Sequence, residues 1–267
     1  MGATIDFLGL VATDDPNHWR FPLHRGVMTA RGALYGGAGL AAVIAALEAT
    51  TGRPLVWATA QYLSFVHEMA TLDVRLERPV EGKRTTQARG VVRHGETEVL
   101  SVLATLGRRD SDVRWTAGER PDVPLPADTR PQVVAEAAGT FHSVYELRIV
   151  KGVSRRQLVK GRPAVDTGGH AAYWVRLPGG RHVPDAGELA LVGDLVPSGF
   201  PSATGLPITG ASLDNTIRLG QLVETEWVLA DVQVHAVLDG YGHGIAHLWS
   251  EDGTLLGTAS QSAFVRA

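Results

Sequence analysis

Ser212–Gly220, SLDNTIRLG, and Glu226–Val265, EWVLADVQVHAVLDGYGHGIAHLWSEDGTLLGTASQSAFV, repeat an earlier part of the same chain in reworked form. The earlier copy is Thr59–Phe65, TAQYLSF, followed by Thr71–Gly107, TLDVRLERPVEGKRTTQARGVVRHGETEVLSVLATLG. Each copy reads as a strand, a connection, and three long strands. The long strands are separated by Glu81-Gly82 and His94-Gly95 in one copy and by Asp239-Gly240 and Asp252-Gly253 in the other, a turn chemistry that hairpins favour. An internal duplication narrows the architecture more than any single motif.

Outward from the repeat, the order of elements is similar in both halves: a short strand, a small-residue helix, then the long strands. The first helix is expected at Gly36–Thr50, with Leu40, Val43, Ile44 and Leu47 forming an apolar stripe at the 3.6-residue period. Its counterpart is expected at Pro184–Val196, opened by Pro184 and Asp185 and closed near Pro197 and Gly199. Two opening strands of the second half are read in Phe141–Gly152 and Gly169–Gly180. Between Arg108 and Gln132 the chain is rich in Pro, Asp and Arg and has no sustained period, which marks a surface connector. The resulting division is 1–110 for the first unit, 111–135 for the connector and 136–267 for the second unit.

The 267 residues suffice for one large core or two domain-sized halves, at 44% hydrophobic content. A net charge of -3 offers no basic field for nucleic acid or an anionic membrane. The absence of cysteine excludes disulfides, thiolate zinc sites and cysteine nucleophiles. No apolar run approaches the roughly 18 residues of a membrane span, and MGATIDFLGL has no basic leader, so a cytoplasmic location is expected.

A helix wrapped by a twisted antiparallel sheet, occurring twice, is the pattern of a double hotdog fold, an α+β arrangement. Three runs, LYGGAGLAAVIAALEATTGRP at Leu34–Pro54, TAQYLSF, and SLDNTIRL through EDGTLLGTASQSAFVR, resemble the acyl-CoA thioesterase II family. The resemblance extends from about Arg31 to Arg266 and is weak between Arg108 and Phe141. It implies hydrolysis of an acyl-CoA thioester by directly activated water, with no covalent intermediate and no cofactor. A homo-oligomer is also implied.

Gly36, Gly37, Ala38 and Gly39 open the first helix, where free N–H groups and the positive end of the helix dipole suit a developing oxyanion. The structural alternative is that these small residues only let the helix approach the sheet. The resemblance implies that the acyl thioester binds there. It also implies a catalytic aspartate, glutamine and threonine, matched here to Asp214, Gln261 and His235. Strict alternation through the run would place Ser212, Asp214 and Thr216 on one strand face. Asp214 could activate water, or it could cap a turn. Gln261 could hold water by donating and accepting at once, or face solvent. His235 departs from the expected threonine, which is compatible either with altered proton transfer or with lost activity.

His243 and His247 share a strand face, and with His235 they raise the possibility of a metal site, but no carboxylate has recognisable ligand spacing. The aromatic-His-Arg-Pro run often seen in the family is replaced by Arg218-Leu219-Gly220-Gln221, which bears on acyl specificity. There is no Gly-x-Ser-x-Gly nucleophile elbow and no phosphate loop. The basic clusters Arg108-Arg109, Arg155-Arg156 and Lys160 with Arg162 are solvated charges or contacts to coenzyme A phosphates. Two alternatives to the hydrolase stand: a hotdog enoyl-CoA hydratase or dehydratase using an Asp and His pair, and an acyl-thioester binding protein without activity. Because the polar residues lie in the later half and the glycine-led helix in the earlier one, the site is expected to span both halves.

Overall fold

The computed structural model describes residues 2–67, 69–116, 118–131 and 138–266. In the first half, α1 (Ala3–Leu8), β1 (Val11–Ala12), β2 (His18–Pro22) and α2 (Gly36–Thr51) precede β3 (Leu55–Tyr62), β4 (Thr71–Glu81), β5 (Thr85–His94) and β6 (Thr97–Gly107). The second half opens with α3 (Phe141–Val144), β7 (Leu147–Lys151), α4 (Arg155–Val159), β8 (His170–Arg176) and α5 (Ala186–Gly193). It continues through α6 (Phe200–Thr204), β9 (Thr209–Ser212), β10 (Asp214–Leu219), β11 (Trp227–Leu238), β12 (Tyr241–Ser250) and β13 (Leu255–Arg266).

The strands form one sheet in the order β1-β2-β4-β5-β6-β3-β10-β13-β12-β11-β8-β7, with β9 also paired to β13. Read outward from the β3–β10 junction, the two sides match: β6, β5, β4 and β2 on one, β13, β12, β11 and β8 on the other. The repeat in the sequence thus becomes a two-fold relation between halves of a continuous sheet, which is the double hotdog architecture. The junction is antiparallel, with Asp214 opposite Gln61 and Ile217 opposite Ala58. At the β11–β12 turn both Asp239 and Gly240 take positive φ, 52° and 81°, the backbone that a two-residue hairpin of matching twist requires.

Helix α2 is buried on every side from Gly37 to Leu47, not along one stripe, because the sheet wraps it and α5 covers the remaining flank. It stops at Gly52, whose φ of 64° suits a left-handed cap. Helix α5 is shorter than the expected Pro184–Val196. It starts behind a capping box in which the Asp185 side chain accepts from Glu188 N at 2.9 Å and Glu188 accepts from Asp185 N at 2.9 Å. It ends at Gly193, and the chain tightens into a 3₁₀ turn at Val196–Gly199 that places Pro197 where no N–H is needed. Asp194 is therefore the C-cap. The helices run antiparallel: the end of α5 meets the start of α2, where Gly37 N–H reaches Asp194. At the opposite end Glu48 lies within electrostatic range of Asp185.

The connector has no regular element beyond one 3₁₀ turn at Pro126–Asp128 among its described residues; 117 and 132–135 of the expected 111–135 segment, and residue 136 at which the second unit was expected to begin, lie outside the described residues. It lies over the outer face of the second half-sheet. Val123 closes a small apolar cluster with Ala172, Trp174, Trp227, Leu229 and Trp249, Trp174 Nε1 donates to Pro124 O at 2.9 Å, and the Arg120 guanidinium sits 5.6 Å from the Trp174 ring. The expected strand at Phe141–Gly152 begins instead as the short helix α3 and becomes β7 only at Leu147. Among the described residues no helix is long and apolar enough to cross a membrane.

Candidate active site

Where α5 ends against the start of α2, a carboxylate, an amide and a hydroxyl converge. Asp194 Oδ2 accepts from the backbone N–H of Gly37 at 2.7 Å. Its Oδ1 accepts from Gln261 Nε2 and from Ser212 Oγ, the latter at 3.3 Å, and Gln261 Nε2 also donates to Ser212 Oγ at 2.6 Å. Asp194 and Gln261 are buried, and Gln261 Oε1 has no partner among the described residues. A carboxylate has about four acceptor sites. Three donors reach it here, so it can accept one more, and the Gln261 side chain bonded to it carries a further acceptor in Oε1.

Burial pushes the Asp194 carboxyl up from 3.8 to about 7, against the opposing influence of the Gly37 N–H, Gln261 and Ser212. Desolvation disfavours the charged form more than these three donors favour it. Burial, with the Asp194 charge next, also raises the Tyr35 and Tyr62 phenols, so both stay neutral. Tyr35 Oη donates to Leu191 O at 3.0 Å and its ring stacks on Phe141 with centroids 4.0 Å apart, fixing the last turn of α5. The Tyr62 hydroxyl is buried beside Asn215 without closing a well-formed hydrogen bond.

Asp194 and Ser212 lie on the wall of a cavity of about 590 Å³, together with Tyr35, Gly36 and Tyr62. Leu147, Ile149, Tyr173, Pro197 and Ile208 give it an apolar flank. Of the four glycine-run residues, Gly37 N–H is engaged by Asp194, and Ala38 and Gly39 N–H donate to Tyr35 O. Gly36 lines the cavity, and its N–H, at the first helical position, has no acceptor within the helix. A Cβ on Gly36 would lie 2.9 Å from Asp194 Oδ2, and one on Gly37 would lie 3.0 Å from both Ala190 O and Asp194 Cβ. Glycine is required here for close approach.

The three residues matched from the sequence are not brought together. Gln261 faces the helices, in step with Ala259 and Ala263 on β13. Asp214 and His235 lie on the opposite face of the sheet. The cause for Asp214 is a bulge: Ser212 pairs with Ala263 and Thr216 with Ser260, four steps on one side against three on the other. The extra residue reverses the alternation, so that Ser212 points inward to Gln261 while Asp214 shares the outer face with Thr216. Asp214 Oδ1 accepts from Ser262 N at 2.8 Å, satisfying a backbone donor that the bulge leaves without a ladder partner. His235 sits at a second register shift, in β11, and is exposed, its ring 5.7 Å from that of His243. His247 is paired across the ladder with Asp231, and no group of three or more potential ligands for a metal occurs among the described residues.

The carboxylate and hydroxyl that lie with Gln261 are those of Asp194 and Ser212, not Asp214 or His235. One signal was available for Asp194: it interrupts the apolar run Leu189–Val196 and sits at a helix C-terminus, where the dipole disfavours an anion. The N-terminus of α2, arriving from the other half, supplies the compensating N–H.

The fold recurs in solved structures. A candidate thioesterase from Novosphingobium aromaticivorans is 26% identical, with a TM-score of 0.83 over 97% of this chain and 98% of its own. A conserved hot dog fold protein from Alicyclobacillus acidocaldarius is 19% identical, with a TM-score of 0.85 over 100% and 99% of the two chains. The acyl-CoA thioesterase II TesB2 of Mycobacterium marinum is 17% identical, with a TM-score of 0.75 over 99% and 98%. The dehydratase domain of PpsC from Mycobacterium tuberculosis, in complex with C12:1-CoA, is more distant, at a TM-score of 0.55 and 15% identity over 97% of this chain and 99% of its own. No curated protein sequence matches the chain. The family model of the acyl-CoA thioesterase C-terminal domain matches residues 120–265, more than half of the chain, and the protein therefore belongs to the acyl-CoA thioesterase family.

Proposed function

We propose that the protein hydrolyses an acyl-CoA thioester to a free acid and coenzyme A, with Asp194 activating the water. The observation that carries this reading is the buried Asp194 carboxylate on the cavity wall, raised to about 7 and bonded to Gln261, whose Oε1 has no partner among the described residues. A water held between them donates one hydrogen to each oxygen. As it attacks the thioester carbon, Asp194 takes its proton, and a base near 7 is well matched to neutral pH. Ser212 and the Gln261 amide hold the carboxylate and water in register. The carbonyl oxygen turns towards the Gly36 N–H at the start of α2, where the dipole favours the developing charge. Collapse of the tetrahedral species breaks the C–S bond, and the proton held by Asp194 goes to the departing thiolate. The chain acts on a small-molecule thioester and needs no metal or cofactor in this scheme.

The hydratase alternative has one observation in its favour: His142 lines the same cavity, and burial holds its imidazole below the usual range and so neutral. Incubation with a panel of saturated and enoyl acyl-CoAs, following free thiol and the enoyl chromophore together, separates the readings. Thiol release from both kinds of substrate supports the hydrolase. Chromophore change without thiol supports the hydratase, and neither signal supports a binding protein.

A further inference from the structure

Among the described residues the only carboxylate on the cavity wall is Asp194, which is buried, whereas Arg31, Arg155 and Arg266 line the same cavity while being exposed. Their positions define a positively charged mouth above an apolar interior. Elsewhere arginines are commonly matched by carboxylates: Arg75 with Asp15, Arg93 with Glu98, Arg148 with Glu146, Arg176 with Glu226 and Arg181 with Glu251. Among the described residues, no carboxylate pairs with Arg31, Arg155 or Arg266. Arg155 is instead braced by its Nε, which donates to Pro207 O at 2.9 Å, so the terminal N–H groups of the fork are not consumed by that bond. Arg266 is held by stacking, its guanidinium 4.6 Å from the Phe264 ring and 5.3 Å from the Phe65 ring.

Arg155 and Arg266 are thus oriented and Arg31 is exposed on the same cavity wall, and guanidinium groups with no anion beside them form charge-assisted, forked hydrogen bonds with phosphate. From this we infer that Arg31, Arg155 and Arg266 recognise the phosphates of the coenzyme A nucleotide, and that the protein selects a phosphorylated thioester carrier over a bare pantetheine thioester. The inference rests on the thioesterase reading for the identity of the ligand. It assigns the Arg155 part of the Arg155-Arg156 cluster a role that the sequence left open between solvation and phosphate binding.

The test measures binding by calorimetry separately from turnover. Wild-type protein and R31Q/R155Q/R266Q are titrated with free coenzyme A, with dephospho-coenzyme A and with pantetheine. The variant should bind coenzyme A at least about tenfold more weakly, with pantetheine affinity kept within about twofold. Dephospho-coenzyme A should show a smaller loss. The corresponding Lys variants, which keep the charge but not the fork, should recover part of the affinity. In turnover, KM for acyl-CoA should rise by a similar factor while kcat stays within about twofold. Equal coenzyme A affinity in wild type and variant would overturn the inference, as would a parallel loss for pantetheine. A preference for an acyl carrier protein thioester over acyl-CoA that the variant alone abolishes would overturn it too. If wild type binds coenzyme A through these arginines but releases no thiol, the phosphate site stands and the thioesterase reading fails.

Discussion

Asp194 at the end of the second-half helix accepts the Gly37 N–H at the start of the first-half helix, across 2.7 Å and 157 positions of sequence. This single bond ties the catalytic proposal to the duplication. A helix C-terminus is a poor place for a carboxylate and a helix N-terminus a good one, so Asp194 is tolerable only because the other copy presents its N-terminus there. The second half supplies the carboxylate, hydroxyl and amide, and the first half supplies the helix N-terminus that meets them.

The raised Asp194 carboxyl predicts a pH dependence with two signs. Activity should rise with pH through about 7, because the base must be ionised. Stability should do the reverse: between the unfolded carboxyl near 3.8 and the folded one near 7, the folded state holds a proton that the unfolded state has lost. In that window the contribution falls by up to about 1.4 kcal/mol per pH unit. Relative to wild type, Asp194→Asn should therefore gain stability as pH rises from 5 to 8, measured by urea denaturation. Gln261→Leu removes a donor that favours the charged form and should move the midpoint of the activity profile upward.

Ser212→Ala should lower kcat by about tenfold with KM little changed, since the hydroxyl aligns Asp194 and Gln261 but has no direct role in proton transfer in this account. A decrease confined to KM would argue that Ser212 contacts substrate instead. Steady-state thiol release on one acyl-CoA distinguishes the two.

Gly36→Ala places a methyl group 2.9 Å from Asp194 Oδ2 and 3.1 Å from Tyr62 Cζ. The carboxylate must shift, and kcat/KM should fall by about tenfold or more while the far-ultraviolet spectrum stays unchanged. Unaltered kinetics would show that the start of α2 is not at the reacting centre.

The connector is secured by Trp174, which is fully buried beneath Val123 and Pro124. Trp174→Ala should cost about 3–5 kcal/mol and expose the connector to limited proteolysis near Arg120. Trp174→Phe, which keeps most of the apolar contact but loses the Nε1 hydrogen bond, should cost about 1 kcal/mol.

The fold was legible because turn chemistry and strand length recur in order, and these are local properties. Paired glycine turns at 94–95 and 252–253 mark the same hairpin twice. The small-residue helix at Gly36 was legible for the same reason. The site was only half legible. Gln261 and the helix start at Gly36–Gly37 meet at Asp194, but Asp214 is turned to the other face by a one-residue bulge at Leu213–Asp214, which inverts the strand's alternation and which period-two reasoning cannot see. Asp194 was passed over because it lies in an apolar helical run whose meaning depends on a helix from the other half. The inward–outward assignment of His235 similarly depends on a register shift in β11.

The most direct test compares Asp194→Asn with Asp214→Asn, assaying thiol release from an acyl-CoA at pH 8 with both variants shown to be folded. Thiol release should fall by about 10²–10⁴-fold in Asp194→Asn and change by less than about threefold in Asp214→Asn. Full activity in Asp194→Asn, with activity lost in Asp214→Asn, would contradict this and move the reacting centre to the outer face of the sheet.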